Sequence, residues 1–140
     1  PARHIFLGAK AIQSFAQAHP GRYAMGDRSG VVGYLMGGRL VQLEGLVADR
    51  GVLRQIQASR DLNEALREMG VEYYVRSAEN TPVENGCYVV REPELAGPSS
   101  PRMSGRFCAK PLEDFKIGKF QTLVFKVERP ITMVGTAGAQ

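Results

Sequence analysis

Residues 23–49, YAMGDRSGVVGYLMGGRLVQLEGLVAD, constrain the chain more than any other stretch. An apolar strand over residues 22–25 runs into Gly26-Asp27-Arg28-Ser29-Gly30, a turn whose glycines permit backbone angles that other residues resist. Residues 31–36 are too few for periodicity to decide between a short helix and an extended run. Gly37-Gly38 marks the next turn, and residues 40–43 form a second strand. Asp27 and Glu44 follow the two strands, so the pattern suggests an α/β sandwich with both carboxylates on one rim of a small sheet.

The flanking segments supply the layers. Over residues 2–19, Ile5, Ala9, Ile12, Phe15 and Ala16 recur at helical spacing, and Pro20-Gly21 stops the helix. Asp49 is placed to cap a helix over 51–58 with Leu53 and Ile56 inward. Asp61 with Glu64 resembles a capping box for a helix over 62–69, whose buried face is Leu62, Ala65, Leu66 and Met69. Gly70 closes it, VEYYVR at 71–76 reads as a third strand, and Gly86 leads into a fourth at 87–91. Residues 93–106, rich in Pro, Gly and Ser, read as an exposed flexible loop. Residues 120–127 form a strand with Leu123 and Phe125 on one face and Val124 and Lys126 on the other; residues 135–140 read as a frayed tail. The expected fold is one α/β domain of 140 residues, a small mixed sheet with helices packed against it and an antiparallel C-terminal half.

Composition removes several classes of function. The formal net charge of +4 would suit an anionic partner, but Lys and Arg are scattered without a basic run, and finger spacings and RNA-binding signatures are missing. Nucleic acid is not an expected partner. Cys87 and Cys108 lack metal or redox spacing, so no metal or other cofactor is expected. Outside the cytoplasm a bridge between them would add about 3 kcal/mol; inside it they are two thiols. No apolar stretch reaches the roughly 20 residues of a membrane span. The chain opens on Pro1, which fits a soluble piece of a longer protein.

The chemistry-bearing residues are few. Gly26, Gly30 and Gly33 after a strand suit a phosphate-cradling loop, but the spacing is not G-x-G-x-x-G and no G-K-[ST] follows, so tight turns are the better account. Asp27 and Glu44 suit acid–base chemistry or sugar binding at strand carboxyl ends. Alternatively, Asp27 bonds turn amides and Glu44 pairs with Arg28 or Arg39. His4 and His19 belong to no nucleophile–base pattern, Ser29 lacks a G-x-S-x-G elbow, and Cys87 has no evident positive partner. Tyr34, Tyr73 and Tyr74 suit sugar stacking, although aromatics in and beside strands are more often core.

The run Ala24-Met25-Gly26-Asp27-Arg28-Ser29-Gly30 to Gly33-Tyr34-Leu35, then Val41-Gln42-Leu43-Glu44-Gly45-Leu46-Val47, resembles the C-terminal extracytoplasmic domain of bacterial polytopic membrane glycosyltransferases. These are protein-mannosyltransferase-like enzymes that use polyprenyl-phosphate sugars. The helix before Gly70 and Val71-Glu72-Tyr73-Tyr74-Val75 are similar to the family's following segment, so the resemblance covers residues 15–75. Glu44 stands where the family more often has aspartate, which keeps a carboxylate but lengthens its reach.

The resemblance implies a domain on the periplasmic side of the inner membrane, joined to a transmembrane bundle of the same polypeptide that carries the catalytic acid. The domain would then not turn over substrate alone. It would assist binding of the acceptor or of the lipid-linked sugar, with Asp27, Arg28, Tyr34 and Glu44 as its contact residues. The alternative is a free-standing α/β domain that binds a nucleotide or another phosphate at the turn spanning Gly26 and Gly33.

Overall fold

Helix α1, Ala2–Ala18, buries Ala9, Ile12 and Ala16, three positions on one helical face. It belongs to a computed structural model whose described residues are 2–26, 29–36, 39–43, 50–58, 60–93 and 101–129. Strand β1, Tyr23–Met25, is buried at every position, the pattern of a strand covered on both faces. The ambiguous run after it is helix α2, Ser29–Met36: Val32 and Met36, one turn apart, both enter the core. Strand β2, Leu40–Gln42, and helix α3, Arg50–Gln57, follow. Helix α4, Leu62–Glu68, starts where its capping residue predicts, with the Asp61 carboxylate accepting the Glu64 amide at 2.9 Å.

Among the described residues the regular elements of the second half are strands: β3 Tyr73–Ala78, β4 Val83–Glu84, β5 Cys87–Glu92, β6 Met103–Phe107, β7 Glu113–Ile117 and β8 Phe120–Lys126. Five strands make a mixed sheet in the order β2-β1-β3-β8-β7, and three make an antiparallel sheet, β4-β5-β6. β1 is parallel to both β2 and β3, while β8 runs antiparallel to β3 and β7. The α/β class and the antiparallel C-terminal half are therefore as the sequence predicts.

Side-chain alternation assigns the layers. Tyr23, Met25, Leu40, Tyr73, Val75 and Val124 pack with α1 and α2 on one face. Ala24, Tyr74, Leu123 and Phe125 pack on the other with Ile56 of α3, with α4, and with Val90, Met103 and Phe107 of the smaller sheet. Tyr74, Phe107 and Phe125 stack between the two sheets at centroid distances of 4.6–6.4 Å. Burying each such ring contributes roughly 1.5–3 kcal/mol.

The smaller sheet corrects one expectation. Residues 94–100 and the tail at 135–140 lie outside the described residues, but residues 103–106, placed in the loop over 93–106, belong to strand β6, Met103–Phe107. Its alternation of buried Met103, Gly105 and Phe107 with exposed Ser104 and Arg106 has the period of a half-buried strand. Glycine is required in the middle, because a Cβ on Gly105 would stand 2.6 Å from Asn63 Oδ1 and 2.9 Å from Leu62 Cβ. β4 and β5 are joined through Asn85 and Gly86, both at positive φ, the pair a tight hairpin turn demands.

Cys87 and Cys108 form a disulfide across β5 and the residue after β6, with Cα atoms 4.0 Å apart. The bridge resolves the sequence alternative of bonded or free thiols, since no free cysteine remains. Its sequence separation is 21 residues, so replacing both cysteines by alanine is expected to lower the unfolding free energy by about 3 kcal/mol. A urea titration of the two chains, with the native baselines of far-UV circular dichroism compared, measures the loss.

Candidate functional site

The strand order creates a switch point. β1 and β3 are parallel neighbours; the chain leaves β1 into α2 on one face of the sheet and leaves β3 toward the smaller sheet on the other. In open α/β sheets the crevice outside the carboxyl ends of two such strands is where ligands sit. Gly26 follows β1 there, and the Leu43 amide donates to the Met25 carbonyl at 2.8 Å, bringing the end of β2 to the same edge.

Of the four residues singled out in the sequence, Asp27, Arg28 and Glu44 lie outside the described residues. Their predecessors Gly26 and Leu43 stand at the carboxyl ends of β1 and β2. Tyr34 belongs to α2, where the description extends to its backbone alone. Tyr73 and Tyr74, raised as stacking platforms, are core residues on opposite faces of β3.

Beneath this edge lies a polar cluster that the sequence reading missed. Glu92, Arg76, Tyr74 and Thr81 are all buried. The Tyr74 hydroxyl donates to Glu92 Oε2, and Arg76 Nε donates to Thr81 Oγ1 at 2.8 Å. Arg76 is the next residue after Tyr74 on its face of β3, and Glu92 takes the inward position at the end of β5 opposite Met103. Burial pushes the Tyr74 hydroxyl well above the ordinary tyrosine range, and the Glu92 carboxylate adds to the rise, while Arg76 opposes it. The available signal was parity: a strand whose inward positions are otherwise apolar carries an ionisable residue at one of them.

Gly26 exists to accommodate this cluster. A Cβ built on it would fall inside contact distance of the Glu92 carboxylate. At Gly33 a Cβ would lie 3.0 Å from Gln42 Nε2, the end of a flexible side chain, so the constraint there is weaker. The Glu92 side chain against Gly26 also takes up space beneath the turn. The cluster can hold the edge in a fixed geometry, and Arg76 places a guanidinium beside it. Among the described residues, no group of three or more His, Cys, Asp or Glu side chains is placed to hold a metal ion.

No protein-family model, curated protein or solved structure matches the chain.

One prediction concerns the cluster and a second the buried tyrosines on both faces of the sheet. Gly26→Ala should destabilise the fold by about 1–3 kcal/mol through overpacking, and by less when Glu92 is also replaced by alanine. A double-mutant cycle of denaturant midpoints reads the coupling; equal costs in both backgrounds would mean that Glu92 is not what fills the space. The second concerns pH. Burial and the neighbouring Tyr73 raise the Tyr23 hydroxyl to about 12, and Tyr74 is also raised. Unfolded tyrosine ionises near pH 10, so Tyr23 contributes stability that is fully present below pH 10 and lost as pH rises toward about 12, and Tyr74 acts in the same direction. Absorbance titration of tyrosinate alongside thermal melts should show late ionisation coincident with unfolding.

Proposed function

We propose that the chain is an extracytoplasmic accessory domain of an integral-membrane glycosyltransferase, lying on the periplasmic side of the bacterial inner membrane. There it assists binding of the acceptor or of the lipid-linked donor sugar and does not catalyse transfer alone. The observation that carries this reading is positional. The run that resembles the family, from Ala24 through Leu43 and beyond, enters and leaves the carboxyl edge of β1 and β2, the edge where the topology favours a ligand.

Two further features support it. The Cys87–Cys108 bridge suits an oxidising compartment. A net charge of +4 suits a position near anionic headgroups or a polyprenyl-phosphate donor, at about 1 kcal/mol for each basic residue close to the surface. Among the described residues no helix is long and apolar enough to cross a membrane, so the reading places the spanning segments elsewhere in the polypeptide. The alternative, a free-standing phosphate-binding domain, has less support, because Gly26 is accounted for by packing against the Glu92 side chain.

In the full-length protein, Asp27→Ala and Glu44→Ala are expected to lower sugar transfer from the lipid-linked donor while leaving the melting temperature of the domain unchanged. Unchanged transfer with a lowered melting temperature would make the two carboxylates structural. A parent reading frame without several apolar segments of spanning length would overturn the proposal outright.

A further inference from the structure

From the free edge of β7 we infer that the domain pairs with a second copy of itself, joining two mixed sheets into one across a two-fold axis through Phe115. β7 is the last strand of the mixed sheet, and among the described residues only β8 pairs with it. Its sequence is Glu113-Asp114-Phe115-Lys116-Ile117.

The backbone sets which groups are offered. Gly118, at φ 64°, and Lys119 make the two-residue turn between Ile117 and Phe120, which are paired across the hairpin. Such a turn closes on a hydrogen-bonded pair, and an antiparallel ladder then alternates bonded and open pairs. Glu113, Phe115 and Ile117 thus turn their amides and carbonyls toward β8. Those of Asp114 and Lys116 point to the free edge.

A two-fold antiparallel pairing must be centred on a residue, and charge decides which one. Centred on Asp114 it sets two aspartates opposite one another; centred on Lys116 it sets two lysines opposite. Both arrangements are unfavourable. Centred on Phe115, each Asp114 faces the Lys116 of the other copy, at the positions whose backbone groups point outward, so two charge pairs coincide with two hydrogen-bonded pairs. The Phe115 rings then meet at the open pair, where side chains approach most closely.

The surface beside the edge fits a partner. A hollow of about 510 Å³ between α1 and β7 is lined by Ile12, Phe15, His19, Phe115 and Val124, with Glu113 at the strand. Phe15 and Phe115 are half-buried in one copy, and Leu7, 43% exposed, precedes Gly8, the α1 residue beside Ile117. A second copy seated on β7 covers apolar surface that α1 leaves open. Charged edge strands ordinarily resist pairing. Here the two charges are of opposite sign and two residues apart, so the edge rejects most partners and accepts its own inverse.

Sedimentation velocity on the full chain tests this. A monomer–dimer equilibrium is expected over the micromolar range. Asp114→Lys and Lys116→Asp should each weaken it at least about tenfold, since each replaces both attractive pairs by like charges. Mixing the two variants should restore a one-to-one dimer, because every cross-strand pair is then of opposite sign; the double exchange in one chain should restore it as well. Melting temperatures close to that of the parent chain confirm that the variants fold, and oxidative cross-linking of Phe115→Cys between copies gives an independent reading. A chain monomeric at all concentrations would overturn the inference. So would dimers that persist in both single variants, or β7 amides protected from exchange in the monomer, which would show the edge covered by the chain itself.

Discussion

The hydrogen bond from Tyr74 to Glu92 is the contact on which the arrangement of the two sheets depends. An unsolvated carboxylate in a protein interior is costly, and without partners the group would take up a proton or draw the edge open. Tyr74 on β3 supplies a donor, Arg76 brings positive charge to the cluster, and Thr81 holds the Arg76 guanidinium. Breaking a buried charged network by removing one member typically costs about 3–5 kcal/mol, more than most single apolar contacts. Three segments distant in sequence are thereby committed to one geometry. Gly26 is drawn in because its missing side chain is the space the carboxylate fills.

α1 and α2 pack on one face of the mixed sheet and α4 with the smaller sheet on the other, which leaves the buried central strands β1 and β3 approachable at their ends. The carboxyl edge of β1 and β3 is the one with polar chemistry beneath it. Its floor is rigid, since the cluster is buried and internally bonded. The residues that follow β1 and β2 in sequence are Asp27, Arg28 and Glu44. In α/β folds generally, function lives in loops carried on a fixed scaffold.

Local chemistry made much of the fold legible. Helix α4 could be read from Asp61 and Glu64 because capping is an interaction within one turn, and the faces of β8 could be read because alternation is a property of the strand itself. The smaller sheet was harder. Ser104 and Gly105 have poor strand propensity, and β6 forms because α4 presses against Gly105, a contact some forty residues away in the chain. The Asn85-Gly86 turn was an available hairpin signal with only two residues of β4 before it. For the candidate site, sequence pointed to the carboxyl edge of β1 and β2 through residues that follow those strands. Glu92 was marked only by parity, as an ionisable residue at an inward position, and its contacts arise only when β5 is laid beneath β1 and β3.

The disulfide also alters the route by which the chain assembles. β3 and β8 must meet to complete the mixed sheet, and Ser77 and Thr122, hydrogen-bonded across that pairing, are 45 residues apart. The bridge spans 21 residues that lie wholly within this interval, so it cuts the effective loop roughly in half. Each halving of a flexible loop lowers its closure cost by about 0.6 kcal/mol. An oxidised chain therefore begins the search for its central long-range contact with a shorter path, and a compartment that forms the bridge early favours the ordering of the whole domain.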